Sequence, residues 1–441
     1  MTDKLATLYP AHVSTLKRRH DEALAEAGYD HLVIFGGSEH YSFLDDHVYP
    51  FRVNPHLKAW VPVIGNPNCF LIYTPGRKPV LLYFQPVDYW HKPAEDPTGY
   101  WLNEIEYHRL GTLADAKAHV PASGRVAFIG EWDASFGDWG LTNPNPDTLV
   151  NKLHYERAWK TEYEIECIRR ANVSAAKGHQ AAERAFRSGA SEFEIHLEYM
   201  RVTSHNENEL PYGNIIAFNE NAAVLHYQHQ SRTRPAEVRS FLIDAGTQFQ
   251  GYASDITRTW SMEDDEFAEL VASVDQFQQE LCASVKPGMD YKEFHLLAHL
   301  KVGQTLRKHG MIDLDPEDAV SSGVTSTFLP HGIGHFIGLQ VHDVGGLMAD
   351  AEGGTIPRPE GHPFLRLTRA VEPGHVFTVE PGIYFIDSLL ADLKKRDGKG
   401  INWPKVDSFR KYGGVRIEDE IVVREEGGEN LTRPAFAETR D

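Results

Sequence analysis

Two aspartates, Asp244 and Asp255, each interrupt an apolar run in Phe241-Leu242-Ile243-Asp244-Ala245-Gly246-Thr247-Gln248-Phe249-Gln250-Gly251-Tyr252-Ala253-Ser254-Asp255-Ile256-Thr257-Arg258. The stretch reads as two β-strands joined by a tight turn. With the turn centred on Phe249 and Gln250, the aspartates face each other, their Cβ atoms about 5 Å apart on one face. Two carboxylates that close in an apolar setting need a compensating charge: an arginine, a shared proton or a metal. A bulge beside Gly246 or Gly251 would change the register. A solvated edge with two turn-capping acids would carry the same residues.

Four more clusters with chemical potential follow residue 330. In His331-Gly332-Ile333-Gly334-His335 the histidines are spaced to chelate a metal from a helix. The two glycines between them each cost about 1 kcal/mol in a helix interior, so a loop or strand is expected and the histidines need not share a role. Gln340-Val341-His342-Asp343 is expected to end a short apolar strand. Glu380 lies in an apolar strand just before Pro381-Gly382. In Gly413-Gly414-Val415-Arg416-Ile417-Glu418-Asp419-Glu420, alternation puts Arg416 and Glu418 on one face and Val415 and Ile417 on the other. Singly, each has an ordinary structural reading: a hydrogen-bonded core histidine, a turn glutamate, a Glu418–Arg416 pair. Together they are buried acids without a matching set of buried bases. Four carboxylates and one imidazole suit two divalent ions with hard oxygen ligands, the charge balance a two-metal hydrolytic site requires.

The rest of the chain must position these groups. Its 441 residues, 41% hydrophobic and 24% charged, point to a globular protein of two domains. A net charge of −19 argues against nucleic acid or an anionic membrane as partner. Cys69, Cys167 and Cys282 form no metal or redox motif, as suits a reducing cytoplasm. Met1-Thr2-Asp3-Lys4-Leu5-Ala6 has no basic region leading into an apolar one, so no signal peptide is expected. No apolar run approaches the ~20 residues that span a bilayer.

Residues 11–27 have helical spacing, with Gly28 as the stop. Apolar strands are expected at 31–35, 69–73, 79–84 and 125–130. Tyr89-Trp90-His91 and Tyr49-Pro50-Phe51 read as core and loop packing. Thr161-Glu162-Tyr163-Glu164 and Ser191-Glu192-Phe193-Glu194 are capping boxes, each opening a helix. Further helices are expected at 265–286 and 291–309, and a strand after Pro211-Tyr212-Gly213. The division is therefore an N-terminal α/β domain over 1–158 and a second domain over 159–441. Phe241-Leu242-Ile243-Asp244-Ala245-Gly246 is echoed by Phe377-Thr378-Val379-Glu380-Pro381-Gly382, a hint of a duplicated half-domain.

The order Asp244, Asp255, His331-Gly332-Ile333-Gly334-His335, Val379-Glu380-Pro381-Gly382 and Val415-Arg416-Ile417-Glu418-Asp419 resembles the "pita-bread" metallopeptidases. Phe43-Leu44-Asp45-Asp46, Phe51-Arg52-Val53-Asn54-Pro55 and Phe385-Ile386-Asp387-Ser388-Leu389-Leu390 resemble the bacterial Xaa-Pro dipeptidase (prolidase) branch that includes organophosphorus acid anhydrolases. The resemblance spans essentially the whole chain. It implies an α/β (α+β) fold: a smaller mixed α/β N-terminal domain and a C-terminal domain with a pseudo-two-fold and a curved antiparallel sheet.

The resemblance also implies roles. Asp244 would bind one metal ion and His335 and Glu380 the other, with Asp255 and Glu418 bridging the two, Mn²⁺ being favoured. A bridging hydroxide would attack the carbonyl before proline while Glu380 shuttles the proton. His226 and His342 would contact substrate or steady the oxyanion, and His331 would lie near the proline carboxylate. Arg416, and also Arg366, would grip that carboxylate. Tyr212, Leu225 and Val341 would shape pockets. Asp45 would receive the substrate amino group, reaching in from the other subunit of a homodimer. Holding both ends by charge would favour dipeptides, since a longer peptide leaves one buried charge unpaired. Alternatives are an aminopeptidase acting before proline on longer peptides, phosphotriester hydrolysis as main or side activity, and a non-catalytic peptide-binding module.

Overall fold

The computed structural model describes residues 3–396 and 398–440; Met1 and Thr2, part of the segment read for a signal peptide, lie outside them. The chain separates into two compact units, one holding the residues up to 157 with 161–166 and 349–354, the other the remainder.

The first unit is a mixed five-stranded sheet with helices. Its elements are α1 (Lys4–Ala27), β1 (His31–Phe35), α2 (Pro55–Trp60), β2 (Phe70–Tyr73), β3 (Val80–Phe84), β4 (Glu106–Leu110), β5 (Val126–Ile129) and α3 (Asp147–Glu156). The order is β4-β3-β2-β1-β5. β1 and β5 run parallel, as do β3 and β4; the other pairings are antiparallel. Gly28 ends α1 in the left-handed conformation, φ 72°, the stop expected of it. Val33, Phe35, Phe70, Ile72, Leu82 and Phe128 meet Phe136 in one core. β4 escaped the sequence reading because Glu-Tyr-His-Arg-Leu lacks an apolar run; it is an edge strand with only Leu110 buried. Tyr89 and Trp90 are exposed rather than packed, Trp90 at 75%, because the 85–99 stretch forms no helix or strand.

The second unit repeats one device, a helix pair backing an antiparallel sheet. α4 (Glu162–Arg187), of which residues 162–166 count with the first unit, and α5 (Glu192–Thr203) precede β6 (Ile215–Phe218), β7 (Ser240–Asp244), β8 (Gln248–Phe249), β9 (Tyr252–Ala253) and β10 (Thr257–Ser261). Both capping boxes form: Thr161 N donates to Glu164 Oε2 at 2.8 Å, and Ser191 N to Glu194 Oε2 at 2.8 Å. Phe186, Ile195 and Tyr199 of the helices pack on Ile216, Phe241 and Ile243 of the sheet β10-β7-β6. Then α6 (Glu266–Ser284), α7 (Tyr291–Lys308) and the short α8 (Pro316–Ser321) and α9 (Val324–Phe328) precede β11 (Val376–Val379) and β12 (Gly382–Tyr384). After α10 (Asp387–Arg396) and α11 (Trp403–Phe409) come β13 (Gly414–Arg416), β14 (Asp419–Arg424), β15 (Gly427–Asn430) and α12 (Thr432–Glu438). Phe277, Phe294 and Val302 of α6 and α7 share a core with Phe377, Val379, Ile383 and Ile421. The two sheets meet where Glu418 N donates to Thr257 O at 3.0 Å.

The hairpin register differs from the expectation. Asp244 pairs with Thr257, not Asp255. The turn centres on Gln250 and Gly251, whose φ angles of 51° and 85° are both positive. That is the backbone of a type I′ turn, which twists with its strands and accepts glycine readily. Moving the turn by one residue moves each partner by two, so both aspartates keep the same face. Residues 331–337 run alongside β11 as an irregular segment: Thr378 N donates to His335 O at 3.0 Å and Glu380 N to Ile333 O at 2.9 Å. Residues 338–343 form an irregular bend, not the end of a strand; Asp343 N donates back to Phe336 O at 2.8 Å.

Close backbone approach demands glycine at two matching places. A Cβ on Gly246 would lie 1.9 Å from Ser254 O, and one on Gly334 would lie 1.9 Å from Thr378 O. Gly334→Ala is expected to lower stability by roughly 3 kcal/mol, as overpacking against a backbone carbonyl. The denaturant midpoint of the variant measures it.

Buried histidines add a pH dependence. Burial holds His179, whose Nε2 stands 2.9 Å from Ala245 O, down to about 3. The unfolded chain takes up that proton near the ordinary value of about 6.5. Between those values the unfolded state binds more protons, so stability is full above about pH 6.5 and falls as pH drops towards 3. In His179→Gln the slope of stability against pH should flatten by up to about 1.4 kcal/mol per pH unit, read from urea midpoints at pH 7, 6 and 5.

Candidate metal centre and substrate cavity

The acids expected from the sequence converge. Asp244 ends β7, Asp255 lies between β9 and β10, His335 flanks β11, Glu380 follows it, and Glu418 sits between β13 and β14. All five line one cavity of about 330 Å³. His335 Nε2 is 3.5 Å from Asp255 Oδ2 and 3.6 Å from Glu380 Oε1. One ligand atom from each of Asp255, His335 and Glu418 lies within 4.8 Å of the others. Asp255, His335 and Glu418 are buried; Asp244 and Glu380 keep some exposure.

Neighbouring groups fix these side chains. Tyr212 Oη stands 2.8 Å from Asp244 Oδ1 and 2.6 Å from Asp255 Oδ1. Thr257 Oγ1 donates to Glu418 Oε2 at 2.7 Å. His335 Nδ1 is 3.0 Å from Phe336 O, which can only accept; Nδ1 therefore carries the proton and Nε2 faces the carboxylates. That orientation is usual for a metal-ligating histidine. Oxygen donors around one imidazole nitrogen fit hard or borderline divalent cations, so the residues present suit the metal the sequence pattern implies.

The electrostatics point the same way. Burial pushes Asp244, Glu380 and Glu418 above the usual carboxylate range, with Asp255 adding to each shift. Burial would also raise Asp255, but its hydrogen bond to His335 and that ring's charge bring it below its ordinary value. Burial would lower His335, yet Asp255 and Glu380 raise it. The cluster lacks positive charge, and a cation entering it would displace protons. Burial, with Arg416, holds His331 down to about 4; burial, with His335, does the same to His342. Both rings are neutral near pH 7.

Leu225, His226, His331, His342, Arg366 and Arg416 also line the cavity. His331 links the acids to a second layer: its Nδ1 is 3.6 Å from Glu380 Oε2 and its Nε2 2.8 Å from Tyr384 Oη. Four expectations need correction. Tyr212, expected to shape a pocket, is engaged with Asp244 and Asp255 and is not among the residues lining the cavity. Arg416 is engaged within the site: Nη2 donates to Asp244 Oδ2 at 2.6 Å, Nη1 to Tyr384 Oη at 2.9 Å and Nε to Thr257 Oγ1 at 3.0 Å. It neutralises Asp244 and has no nitrogen left wholly for a ligand. Val341 is not among the residues lining the cavity; an irregular bend stands where a strand was expected. Glu420, given no role and read as solvated, is fully buried; its Oε1 accepts from Asp255 N at 2.6 Å and its Oε2 from Asn172 Nδ2 at 2.9 Å. Asp45 belongs to the first unit, exposed on the 41–48 loop.

Sequence reasoning missed Phe364, Pro330, Thr257 and Tyr384. Phe364, exposed yet lining the cavity, had a faint signal: an aromatic beside Arg366 in a Pro/Gly-rich loop. Thr257 and Tyr384 had none, since a hydroxyl in a strand is ordinary.

The profile of the N-terminal domain of Xaa-Pro dipeptidase matches residues 7–155, and that of metallopeptidase family M24 matches 166–425. The chain is 50% identical over 433 residues to an Xaa-Pro dipeptidase of Stenotrophomonas maltophilia, spanning 98% of this chain and 97% of that protein. It is 48% identical over 437 residues to one of Pseudoalteromonas atlantica, spanning 98% of each. Among solved structures, zinc-substituted aminopeptidase P of E. coli in complex with product superposes with a TM-score of 0.71 over 99% of both chains at 22% identity. That likeness establishes the pita-bread fold. No helix among the described residues is long and apolar enough to cross a membrane. With its acids converging on one cavity and both profiles matched, the chain belongs to metallopeptidase family M24 and carries the N-terminal domain of the Xaa-Pro dipeptidases.

Proposed function

We propose that the protein is a cytoplasmic, homodimeric Xaa-Pro dipeptidase with a dinuclear centre, in which Asp244, Asp255, His335, Glu380 and Glu418 hold two divalent cations, Mn²⁺ by preference. The observation that carries this is the meeting of four carboxylates and one imidazole in a cavity whose rim holds a free guanidinium. Bound cations would supply Lewis acidity and acidify a water at neutral pH. Glu380, pushed up by burial, is suited to take a proton and return it to the leaving proline nitrogen. His342, neutral, can donate one hydrogen bond to a substrate oxygen, and His226 adds a second ring at the wall; His331 borders the cavity with its Nδ1 proton given to Gly332 O at 2.8 Å and its Nε2 accepting from Tyr384 Oη.

Arg366 is the better candidate for the proline carboxylate. It lines the cavity, is exposed and makes no hydrogen bond or ion pair among the described residues, whereas Arg416 is committed to Asp244. Leu225 and Phe364 give apolar walls for the ring, while Tyr212 acts behind the acids. Asp45 is proposed to meet the substrate amino group from a second copy of the chain. Tyr41, Phe43 and Leu44, beside it, form an exposed apolar patch, Phe43 at 89% and Leu44 at 90%, that a second copy would cover. The domain division at 158/159 goes with this reading, the N-terminal domain supplying the dimer contact. That domain favours dipeptides over the longer substrates of an aminopeptidase. Phosphotriester hydrolysis is proposed only as a side activity of the same cavity.

Chelation should lower Gly-Pro or Ala-Pro hydrolysis by at least about 100-fold, and Mn²⁺ should restore it; activity that persists in metal-free protein refutes the reading. Glu380→Gln is expected to cut kcat by about 10²–10⁴ while the thermal midpoint stays near that of wild type. Arg366→Ala should raise KM for a dipeptide by roughly 10–100-fold, the worth of about 1.5–3 kcal/mol for a charged hydrogen bond, with metal content unchanged. Arg416→Ala should instead lower bound metal, measured by elemental analysis. A tripeptide hydrolysed better than the dipeptide sharing its first two residues would favour the aminopeptidase alternative.

A further inference from the structure

Three imidazoles meet elsewhere in the second unit. His295 and His299 stand one turn apart on α7, on the same face of the helix. His362 comes from the loop between residues 356 and 366. The ring centroids lie 4.6 Å (His295–His299), 4.6 Å (His295–His362) and 4.5 Å (His299–His362) apart. One nitrogen of each ring is within 4.8 Å of a nitrogen of each other ring.

The hydrogen bonds leave this cluster incomplete. His295 Nε2 is 2.9 Å from His362 Nδ1, and His299 Nδ1 is 3.0 Å from Thr325 Oγ1. His295 Nδ1 and His299 Nε2 then have no hydrogen-bond partner among the described residues, although the two side chains are 1% and 0% exposed. An unsatisfied buried nitrogen is uncommon; with Nδ1 of His299 held by Thr325, its Nε2 is the atom kept for a ligand, while His295 offers the Nε2 that faces His362. Burial keeps both rings deprotonated, in the form that offers a lone pair. His362 is only partly buried and also lines a surface cavity of about 920 Å³ with Ser326, Thr327 and Asp392. A cation therefore has an entry and a water has room.

We propose that His295, His299 and His362 form a metal site separate from the carboxylate cavity, taking Zn²⁺ with water as the fourth ligand. Three neutral nitrogen donors without a carboxylate suit a borderline cation and not the hard ions favoured by oxygen. Ligand nitrogens on tetrahedral zinc, at bonds of about 2.0–2.1 Å, stand about 3.4 Å apart. The 2.9 Å His295–His362 contact opens by a few tenths of an ångström to admit the ion. The loop that supplies His362 also carries Phe364 and Arg366 into the catalytic cavity. Zinc would tie that loop to α7 and so position Arg366, a consequence that rests on the function proposed above.

The test is anomalous diffraction at the zinc edge from crystals of Mn²⁺-loaded protein soaked in Zn²⁺. A peak enclosed by the three rings is expected in wild type and absent in His362→Ala, whose change lies on a partly exposed loop. No peak there, at Zn²⁺ concentrations that exchange into the carboxylate cavity, overturns the proposal. In solution, equilibrium dialysis should give wild type one more bound Zn²⁺ than His362→Ala; equal stoichiometry overturns it too. Should the variant fail to fold, the wild-type crystal alone decides. Metal missing from the carboxylate cavity would count against the dipeptidase reading and leave the histidine site to be judged by its own peak.

Discussion

Concentrating negative charge in an apolar interior is the constraint around which the second unit is built. Asp244, Asp255, Glu380 and Glu418 face one cavity, and in a low-dielectric setting four carboxylates repel and resist ionisation. The protein answers with neutral donors and one guanidinium. Tyr212 is shared by two aspartates, Thr257 serves Glu418, and Arg416 is clamped to Asp244. None of this makes up the missing positive charge. Burial leaves Asp244, Glu380 and Glu418 above their ordinary values and only Asp255, beside His335, below its own, a charge deficit that cations would fill.

Three consecutive acids show how finely the strand period divides the work. Glu418 faces the cavity. Asp419, one residue on, takes the opposite side and accepts from Arg258 Nη2 at 2.6 Å and Arg433 Nε at 2.6 Å. Glu420 returns to the first side, and its carboxylate receives Asp255 N. Burial raises Glu420 to about 8, whereas Asp419, although equally buried, is pulled down to about 2 by its two arginines. Two carboxyl groups, one residue apart and equally buried, are pushed in opposite directions because their partners differ.

The two halves reach the cavity by the same means. In each, a helix pair backs a strand that leads to an acid of the cavity, and a glycine lets a second backbone come within reach of the strand, Gly246 at Ser254 and Gly334 at Thr378. The echo between Phe241–Gly246 and Phe377–Gly382 thus has a physical counterpart. Neither half closes the site alone: Asp244 and Asp255 come from one, His335, Glu380 and Glu418 from the other.

Much of this was legible in the chain. Capping boxes, apolar periodicity and turn residues are local signals, so the helices 162–187, 192–203, 266–284 and 291–308 and most strands could be read directly. The acids were conspicuous because a carboxylate inside an apolar run has few explanations. What could not be read depends on contacts between distant residues. The hairpin register turned on which two residues adopt positive φ. Val341 missed the cavity where an irregular bend stood in place of the expected strand. Whether Arg416 or Arg366 is free to hold a ligand depended on Asp244, 172 residues away from Arg416, and Glu420 changed from a solvated end to a buried support through Asp255. Sequence by itself determined which residues are candidates for the chemistry, since residue type and local pattern set what a side chain can do. Only tertiary structure decided which of them are spent on one another and which remain available, since hydrogen bonding and burial are properties of the assembled pair.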